Sequence, residues 1–417
     1  MTIERGSTLP SSADVVVVGA GVVGAAIAFQ LARLGVTDVV LLDKGEVGGR
    51  ASGRSGALVR THYPNLDEAR VALAALPWFE EWPDRVGGDC GFTATGFLQM
   101  VAEPDRPTLR SNVALLQEIG VDTRLVGADE INELQPQLRL ADGELAAYEP
   151  RSGYADPLAT TRGFASAARR LGATVLEGVE VTEITTAGDR VRGVRTAAGD
   201  IDAPVVLLAN GTWSASLLGP LGIQLDLTPI WAQVAFFARP PSLPAGRAGQ
   251  LTIIDRAHGC YLRAEGEDRT MVGLSGSRRP LEDLDADHPA DPKFAELARR
   301  QAALRFPALA DAPGLGGRGG PLDVTADRRM LLGPAAEVPG LYLAVGMSGG
   351  GFKKAPAIGA CMAELIVDGK ASTAPIEPFR PTRFAEGEPL SGAEYTLPSD
   401  GVYPEAFDEL SAQGLIH

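Results

Sequence analysis

The sequence contains few of the residues on which disulfide-rich proteins and metalloproteins depend. Three of its 417 residues are cysteines, Cys90, Cys260 and Cys361, and they lie far apart. An odd number of widely spaced cysteines argues against a disulfide framework and a zinc site, and it favours a reducing compartment, the cytoplasm. The four histidines form no H-x-x-x-H or H-E-x-x-H pair. We therefore expect no metal site.

Positive charge is also scarce. The 38 lysines and arginines are outnumbered by 53 aspartates and glutamates, which leaves a formal net charge of −15. Such an excess of negative charge disfavours nucleic acids and anionic membrane surfaces as partners. The sequence has no repeat of solenoid length, and a chain of this size forms one large domain or two.

A membrane span is missing as well. The apolar run over residues 15–35 is interrupted by three glycines and contains Gln30 and Arg33. A transmembrane helix needs about 20 predominantly apolar residues. Acidic residues and a proline precede the run, whereas a signal peptide would have a basic region there. The run therefore needs another explanation.

The same run fits a nucleotide-binding unit. Four valines from Val15 onwards predict a buried strand, and the alanines and leucines that follow favour a helix. Between them lies a match to G-x-G-x-x-G, formed by Gly19, Ala20, Gly21, Val22, Val23 and Gly24. Its glycines allow a tight turn, the approach of a pyrophosphate and close helix packing. A second strand over residues 38–42 ends at Asp43, which is placed to bind a ribose hydroxyl. We predict that a dinucleotide binds where this helix begins.

A basic loop follows the second strand. Residues 45–60 are rich in glycine and serine and contain Arg50, Arg54 and Arg60. Because the loop follows the nucleotide motif directly, we interpret it as a clamp over the pyrophosphate and the rest of the cofactor. A solvated basic loop is the alternative.

The remaining chain alternates between two kinds of organisation. Helices are predicted over residues 66–82, with a break near Pro77, and over 107–120, 127–138, 157–171 and 291–307. Strands are predicted over residues 91–101, 174–177 and 179–184, and residues 203–218 indicate a strand, a glycine and a helix that starts at Ser214. Residues 225–280 show the alternation typical of an antiparallel sheet. We predict an α/β fold with an α+β part: a Rossmann-type, doubly wound domain and an inserted substrate domain on an antiparallel sheet. The first would comprise residues 1–80, 150–222 and 318–385, and the second residues 81–149 and 223–317.

A second glycine-rich turn lies near the C-terminus. A strand over residues 341–345 leads into Gly349, Gly350 and Gly351, and a helix is predicted to start at about Pro356. A flavin gains negative charge at its pyrimidine edge on reduction, and a helix N-terminus with Lys353 beside it would stabilise that charge. The alternative is a plain strand–loop–helix unit with structural glycines.

Taken together, these segments resemble a known family. The motifs "VVVVGAGVVGAAIAFQLARLG", "SGRSGALVRTHYP", "GYADPLATT", "VVLLANGTWS" and "GGGFKKAPAIG" are similar to those of the FAD-dependent D-amino acid oxidase superfamily, in particular its sarcosine oxidase and glycine oxidase-like branch. The resemblance covers roughly residues 13–385. It implies FAD-dependent oxidation of an amine next to a carboxylate, by hydride transfer to the flavin, hydrolysis of the imine and reoxidation by O2 to give H2O2.

The resemblance also implies roles for individual residues. Arg60 and Lys353 would bind the substrate carboxylate, Tyr261 would line the substrate cavity, and His62 would lie beside them in the same loop as Arg60. The cofactor-binding residues would be Gly19, Gly21, Val22, Val23, Gly24, Asp43, Lys44, Arg50, Ala51, Ser52, Arg54, Ser55, Gly56, Val181, Asn210, Gly211, Trp213, Gly349, Gly350, Gly351, Phe352 and Lys353.

Two departures from the family pattern leave alternatives open. Residues 319–327 contain no cysteine, so FAD is expected to be bound non-covalently. The stretch in which relatives carry an oxygen-activating lysine contains Arg278 and Arg279 instead. A dehydrogenase with another electron acceptor, a D-amino acid or cyclic imino acid oxidase, and a flavin-binding subunit of a hetero-oligomer therefore remain alternatives. Residues 386–417 form an extension that would be a packed strap, a subunit contact or partly disordered.

Overall fold

The computed structural model describes residues 9–244, 246–275, 279–281, 283–285 and 290–396. Arg278 and residues 397–417 of the C-terminal extension lie outside the described residues. No helix within these ranges is long and apolar enough to cross a membrane.

The nucleotide-binding part is built on a parallel sheet of six strands among the described residues. Val15–Val18 lies near its centre and pairs in parallel with Val39–Asp43 on one side and Val205–Leu208 on the other. All four valines are buried, as expected for a strand covered on both faces. Across the sheet the strands are Leu331–Pro334, Leu341–Val345, Val205–Leu208, Val15–Val18, Val39–Asp43 and Thr174–Glu177. The predicted doubly wound arrangement is confirmed, with an antiparallel strand, Leu331–Pro334, at one edge.

The helix Val22–Arg33 packs between the helices Pro157–Arg170 and Gly351–Asp368. Close approach depends on glycine: a Cβ atom at Gly359 would lie 2.8 Å from the backbone of Ala26. The helix Leu66–Glu80 packs against Gly351–Asp368 in turn. This layer brings the N-termini of the Val22–Arg33 and Gly351–Asp368 helices to the same side of the parallel sheet.

The other large sheet of the fold is mostly antiparallel and has nine strands in the described ranges. The strands are Phe97–Met100, Arg124–Gly127, Leu145–Glu149, Leu227–Ala238, Thr252–Asp255, Cys260–Glu265, Arg269–Leu274, Arg279–Pro280 and Gly314–Thr325. The helix Pro292–Arg305 covers one face. The strand Gly314–Thr325 pairs along Leu227–Ala238, so it crosses the boundary predicted at residue 318.

Smaller elements complete the fold. The strand predicted over residues 179–184, within the range of the doubly wound domain, does not join the parallel sheet. The strand Val181–Ala187 belongs to a separate antiparallel sheet with Arg190–Thr196 and Gly199–Asp202. The remaining elements are the strands Leu58–Val59 and Gly153–Tyr154 and the helices Trp82–Arg85, Arg106–Glu118, Ala128–Leu134 and Ser214–Leu218.

Two predictions based on proline were wrong about helix ends. The helix Leu66–Glu80 continues through Pro77, because the residues beyond the proline, Trp78 and Phe79, are buried and pack against other rings of the core. The last helix begins at Gly351 rather than near Pro356. Gly349 has a φ of 81°, which allows the chain to turn into the helix five residues earlier and places Lys353 in its first turn.

Candidate active site

A first cavity extends from the start of the Val22–Arg33 helix to the start of the Gly351–Asp368 helix. Seventeen of the predicted cofactor residues line it: Gly19, Gly21, Val22, Val23, Asp43, Lys44, Arg50, Ala51, Ser52, Ser55, Val181, Asn210, Gly211, Trp213, Gly349, Gly351 and Phe352. The other five, Gly24, Arg54, Gly56, Gly350 and Lys353, are absent from this lining. Gly24 packs in the turn itself, and Gly350 caps the last helix.

The glycine motif gives the cavity its tight turn. Gly19 has a φ of 103°, and a Cβ atom there would lie 2.6 Å from the carbonyl oxygen of Ala209. A Cβ atom at Gly24 would lie 1.9 Å from the carbonyl oxygen of Gly19. Gly21 caps the following helix, which has no acidic residue in its first turn. The Val22 N–H donates to the hydroxyl of Ser52 at 2.9 Å, so the basic loop reaches the helix N-terminus.

Asp43 connects the second strand to this turn. The Ala20 N–H donates to its Oδ2 at 2.7 Å, and the Gly45 N–H donates to its Oδ1 at 2.8 Å. Burial raises the pKa of the Asp43 carboxyl, although these two N–H groups act in the opposite direction. The carboxylate lies at the cavity wall, and its contact with a ribose stays a prediction.

Two cationic side chains lie beside an aromatic ring at the same end of the cavity. The Lys44 Nζ lies 4.6 Å from the ring centre of Trp213, and the Arg50 guanidinium lies 5.8 Å from it. Lys44 also forms an ion pair with Asp285 at 2.5 Å. The aromatic ring and the two cations give this end of the cavity a lining that suits a nucleotide.

Asp323 is a cavity residue that the sequence reasoning missed. Its Oδ2 accepts the Gly346 N–H at 2.6 Å, and its carbonyl oxygen accepts the Ser348 N–H at 3.0 Å. Burial raises the pKa of Asp323 to about 6. It fixes the glycine-rich turn before the last helix. Asp323 stands in the strand Gly314–Thr325, and two further strands separate it from that turn, so the sequence offered no local signal for the contact.

A second cavity adjoins the first. The two share Ala51, Ser55, Leu322 and Gly349 in their linings. Arg60, Tyr261 and Lys353 line the second cavity, as do Arg54 and Gly56. The structure thus brings three of the four predicted catalytic residues together beside the first cavity, although they are about 90 to 290 positions apart in the sequence.

Arg60 and Lys353 form a cationic pair around Tyr63. The Arg60 guanidinium lies 4.2 Å from the centre of the Tyr63 ring. Burial, together with the charge of Arg60, lowers the pKa of Lys353. Burial alone would raise the pKa of Tyr63, but Lys353, Lys354 and Arg60 lower it to about 8. Of the two adjacent lysines, Lys354 forms an ion pair with Glu68 at 2.5 Å, which leaves Lys353 as the one that lines the cavity.

Tyr261 stands on the antiparallel sheet opposite Gly273. A Cβ atom at Gly273 would lie 2.1 Å from the Cζ atom of Tyr261, so the tyrosine ring lies flat over the glycine. Burial raises the pKa of Tyr261 to about 12. The phenol is therefore protonated at neutral pH, and Tyr261 provides a wall rather than a base.

His62 is the exception among the predicted catalytic residues. It is 1% exposed and lines neither cavity. Its Nε2 lies 2.7 Å from the hydroxyl of Tyr395. Burial, followed by the charges of Arg60 and Arg256, lowers the pKa of His62 to about 3. The imidazole is neutral and contacts Tyr395 instead of lining either cavity.

Arg256 is a second residue that the sequence reasoning missed. It lines the second cavity with Arg60 from the turn after the strand Thr252–Asp255. The Asp255 carboxylate holds that turn by accepting the N–H groups of Ala257 and His258 at 3.0 and 3.3 Å. The segment "DRAHGC" directly precedes Tyr261, which was the available signal.

Comparison with known proteins decides the family. A family model described as FAD dependent oxidoreductase matches residues 14–365. The chain belongs to this family. The oxidoreductase is 27% identical over 383 residues to the sarcosine oxidase subunit beta of Rhodobacter capsulatus, which covers 90% of this chain and 89% of that one. The predicted family is thereby confirmed, and FAD is its cofactor.

Two further similarities bear on the activity. The chain is 28% identical over 370 residues to the 4-methylaminobutanoate oxidase (formaldehyde-forming) of Paenarthrobacter nicotinovorans, covering 87% of this chain. It spans 44% of the length of that relative. The crystal structure of L-proline dehydrogenase from P. horikoshii superposes with a TM-score of 0.84 at 28% identity, covering 92% of this chain and 100% of that one.

The residues of the first cavity fit FAD. The cavity joins two helix N-termini that have no acidic residue in their first turns, and such termini attract a pyrophosphate and the edge of a reduced flavin. Gly21 lines the cavity and has no side chain. A pyrophosphate can therefore approach the backbone closely at this position. Asp43 would meet ribose hydroxyls. The junction with the second cavity would then receive the flavin ring.

Proposed function

We propose that the chain oxidises the C–N bond of an amino acid, most simply a secondary amine such as an N-substituted glycine. The observation that carries the proposal is the position of Arg60 and Lys353 in the cavity that adjoins the FAD cavity. Lys353 is buried and Arg60 is half-buried, and two such cations side by side are unfavourable unless an anion lies between them. A substrate carboxylate is such an anion.

Arg60 and Lys353 would orient the substrate. The planar guanidinium suits a carboxylate because it presents two parallel N–H groups, and the ammonium adds a point charge. Apolar residues such as Leu58, Ile254 and Leu274 also line the cavity and reduce its water content. A carboxylate held at one end directs the carbon beside the nitrogen towards the shared wall at Gly349.

The same cations help to keep the amine neutral. Positive charges near an amine disfavour its protonated form, and the oxidation requires the nitrogen lone pair. No separate base is needed for this effect, which agrees with the protonated Tyr261 and the withdrawn His62. FAD supplies the acceptor for a hydride from the carbon next to nitrogen, after which water converts the imine to a carbonyl compound and an amine. Reoxidation by O2 would give H2O2.

The proposal is tested by mixing the purified holoenzyme under argon with N-alkylglycines, D-amino acids and cyclic imino acids. We expect the flavin absorption band to bleach with the N-alkylglycines. Acid precipitation of the same preparation should release FAD into solution, because the binding is expected to be non-covalent. Flavin that no amino acid bleaches contradicts the proposal and favours a flavin-binding subunit without substrate chemistry of its own.

A second candidate is the same oxidation with an acceptor other than oxygen. The similarity to L-proline dehydrogenase supports it, as does the absence of a lysine from the sequence stretch that contains Arg278 and Arg279. Admitting air after anaerobic reduction separates the two candidates. Rapid return of the flavin colour with formation of H2O2 supports the oxidase. Colour that returns only with a quinone or a dye supports the dehydrogenase.

A further inference from the structure

The second cavity has an unusual charge balance for this chain. Five cationic residues line it, namely Arg54, Arg60, Arg256, Arg328 and Lys353, and no aspartate or glutamate stands among its described lining residues. The whole chain has a net charge of −15, so a cavity lined by cations alone does not reflect average composition. It indicates an anionic ligand.

The three inner cations form a row. Arg60 is an electrostatic neighbour of Lys353 and also of Arg256. Arg328 is exposed, and the Arg54 Nη1 donates to the Gly319 carbonyl oxygen at 3.1 Å. If a single substrate carboxylate binds between Arg60 and Lys353, the positive charge of Arg256 still lies next to the positive charge of Arg60.

Arg256 has no partner of its own in the part of the chain that the structure describes. Its guanidinium makes no ion pair and no hydrogen bond there, and its Nε is buried without an acceptor. The acids whose charges act on Arg256 are engaged elsewhere. Glu394 forms an ion pair with Arg329, and Asp105 accepts the N–H and the hydroxyl of Thr396 at 2.8 and 3.1 Å.

The position of Arg256 is fixed firmly enough to serve recognition. Asp255 holds the turn through the N–H groups described above, and its carboxylate also forms a buried ion pair with Arg305 at 2.6 Å. Arg305 in turn pairs with Glu144 at 2.8 Å. A buried ion network directly beside Arg256 therefore holds the turn from which its guanidinium extends.

We propose that the substrate carries a second carboxylate and that Arg256 binds it, so that the substrate class is a dicarboxylic amino acid. The proposal rests on the function proposed above and narrows it. The first carboxylate binds between Arg60 and Lys353 and the second binds at Arg256, which brings the charge of the inner row close to neutral. The second carboxylate can stand on the nitrogen substituent or on the side chain.

Matched compounds that differ by one carboxylate test the substrate class. Iminodiacetate is compared with N-methylglycine for a carboxylate on nitrogen, and N-methylaspartate with N-methylalanine for one on the side chain. In one of the two pairs, we expect the diacid to reduce the flavin anaerobically with a kcat/KM about 10- to 150-fold above that of the matched monocarboxylic compound. One charge-assisted hydrogen bond accounts for a difference of this size. The pair that shows the difference identifies the position of the second carboxylate.

Binding without reaction tests Arg256 itself. Diglycolate and methoxyacetate replace the amine by an ether oxygen and are read by the change in flavin absorption. In Arg256→Gln the dissociation constant of diglycolate should rise about 10- to 150-fold, while that of methoxyacetate should change less than about threefold. Arg256→Lys should restore part of the affinity. Arg110→Gln, an exposed change on the helix Arg106–Glu118 with the same loss of charge, is the control and should change neither constant.

Three results would contradict this inference. If monocarboxylic and dicarboxylic amino acids reduce the flavin equally well, the proposed function stands and the dicarboxylate class fails. If Arg256→Gln weakens diglycolate and methoxyacetate by the same factor, Arg256 shares the first carboxylate instead. If no amino acid of either kind reduces the flavin, the proposed function fails and the inference fails with it.

Discussion

The imidazole Nε2 of His62 lies 2.7 Å from the phenolic oxygen of Tyr395, although 333 positions separate the two residues. The two rings stack with their centres 5.8 Å apart, and the Asn112 amide donates to the same phenolic oxygen at 2.9 Å. The C-terminal extension is therefore a packed strap at least as far as Thr396. It packs against the loop that contains Arg60 and His62.

Removing the Tyr395 hydroxyl should destabilise the fold. Tyr395→Phe loses the contacts to His62 and Asn112 and leaves buried polar groups unpaired, so we expect the free energy of unfolding to fall by about 1–3 kcal/mol. Urea denaturation of the holoenzyme measures this change. Tyr342→Phe is the control, because the described residues offer its hydroxyl no hydrogen bond. If the free energy of unfolding falls no further in Tyr395→Phe than in Tyr342→Phe, the strap does not stabilise the fold through this hydroxyl.

His62 should make stability depend on pH. Its pKa is about 3 in the folded chain, lowered by burial and by Arg60 and Arg256, and about 6.5 in the unfolded chain. The unfolded state therefore binds more protons between these values. The contribution of His62 to stability is complete above about pH 6.5 and is lost as the pH falls towards 3.

For one proton, the free energy of unfolding falls by up to about 1.4 kcal/mol for each pH unit. We expect His62→Gln to have a correspondingly shallower dependence of unfolding free energy on pH between about 6.5 and 4.5. Urea titrations of both proteins at matched pH values measure the two slopes. Equal slopes would show that folding does not lower the pKa of His62.

Tyr63 should control the affinity for a carboxylate at alkaline pH. Its pKa is about 8, since burial is outweighed by Lys353, Lys354 and Arg60. Above that pH the phenolate offsets the nearby cations, so the affinity for methoxyacetate should fall as the pH rises through about 8. In Tyr63→Phe this inflection should disappear. An unchanged inflection in the variant would assign it to another group.

Asp43 should determine how tightly FAD is held. Asp43→Ala removes the carboxylate that accepts the Ala20 and Gly45 N–H groups and faces the cavity, and we expect the dissociation constant of FAD to rise about 10- to 150-fold. Flavin fluorescence after dialysis measures the occupancy. Asp38→Ala, an exposed change one residue before the same strand, is the control. Equal FAD retention in the two variants would remove Asp43 from the site.

The sequence predicted local units well because their signals are local. The valines of Val15–Val18, the glycines that follow and the acid at Asp43 lie within one strand–turn–helix–strand unit, where periodicity and glycine chemistry determine the outcome. The same reasoning failed for Pro356 and Pro77. At Pro77 packing between helices outweighed the local preference of proline, and before Pro356 the turn at Gly349 starts the helix five residues earlier.

The residues that the sequence did not predict depend on contacts between distant segments. Arg256 is a cavity residue because Asp255 is held by Arg305 from a helix 50 positions later. Asp323 orders a turn 23 positions away. His62 was placed in the site because of its position beside Arg60, yet Tyr395 draws its side chain to the opposite side of the loop. A single sequence contains no signal that separates these arrangements.

The central claim is that Arg60 and Lys353 bind the substrate carboxylate beside FAD. The most direct measurement is the rate of anaerobic flavin reduction by an amino acid that is a substrate and by the amine that lacks only its carboxylate, in the wild type and in Arg60→Ala. We predict that the amino acid reduces wild-type flavin far faster than the amine, and that Arg60→Ala lowers kcat/KM for the amino acid by about 2–4 kcal/mol of transition-state free energy while retaining FAD. Equal rates for the amino acid and the amine, or an Arg60→Ala variant as fast as the wild type, would contradict the claim.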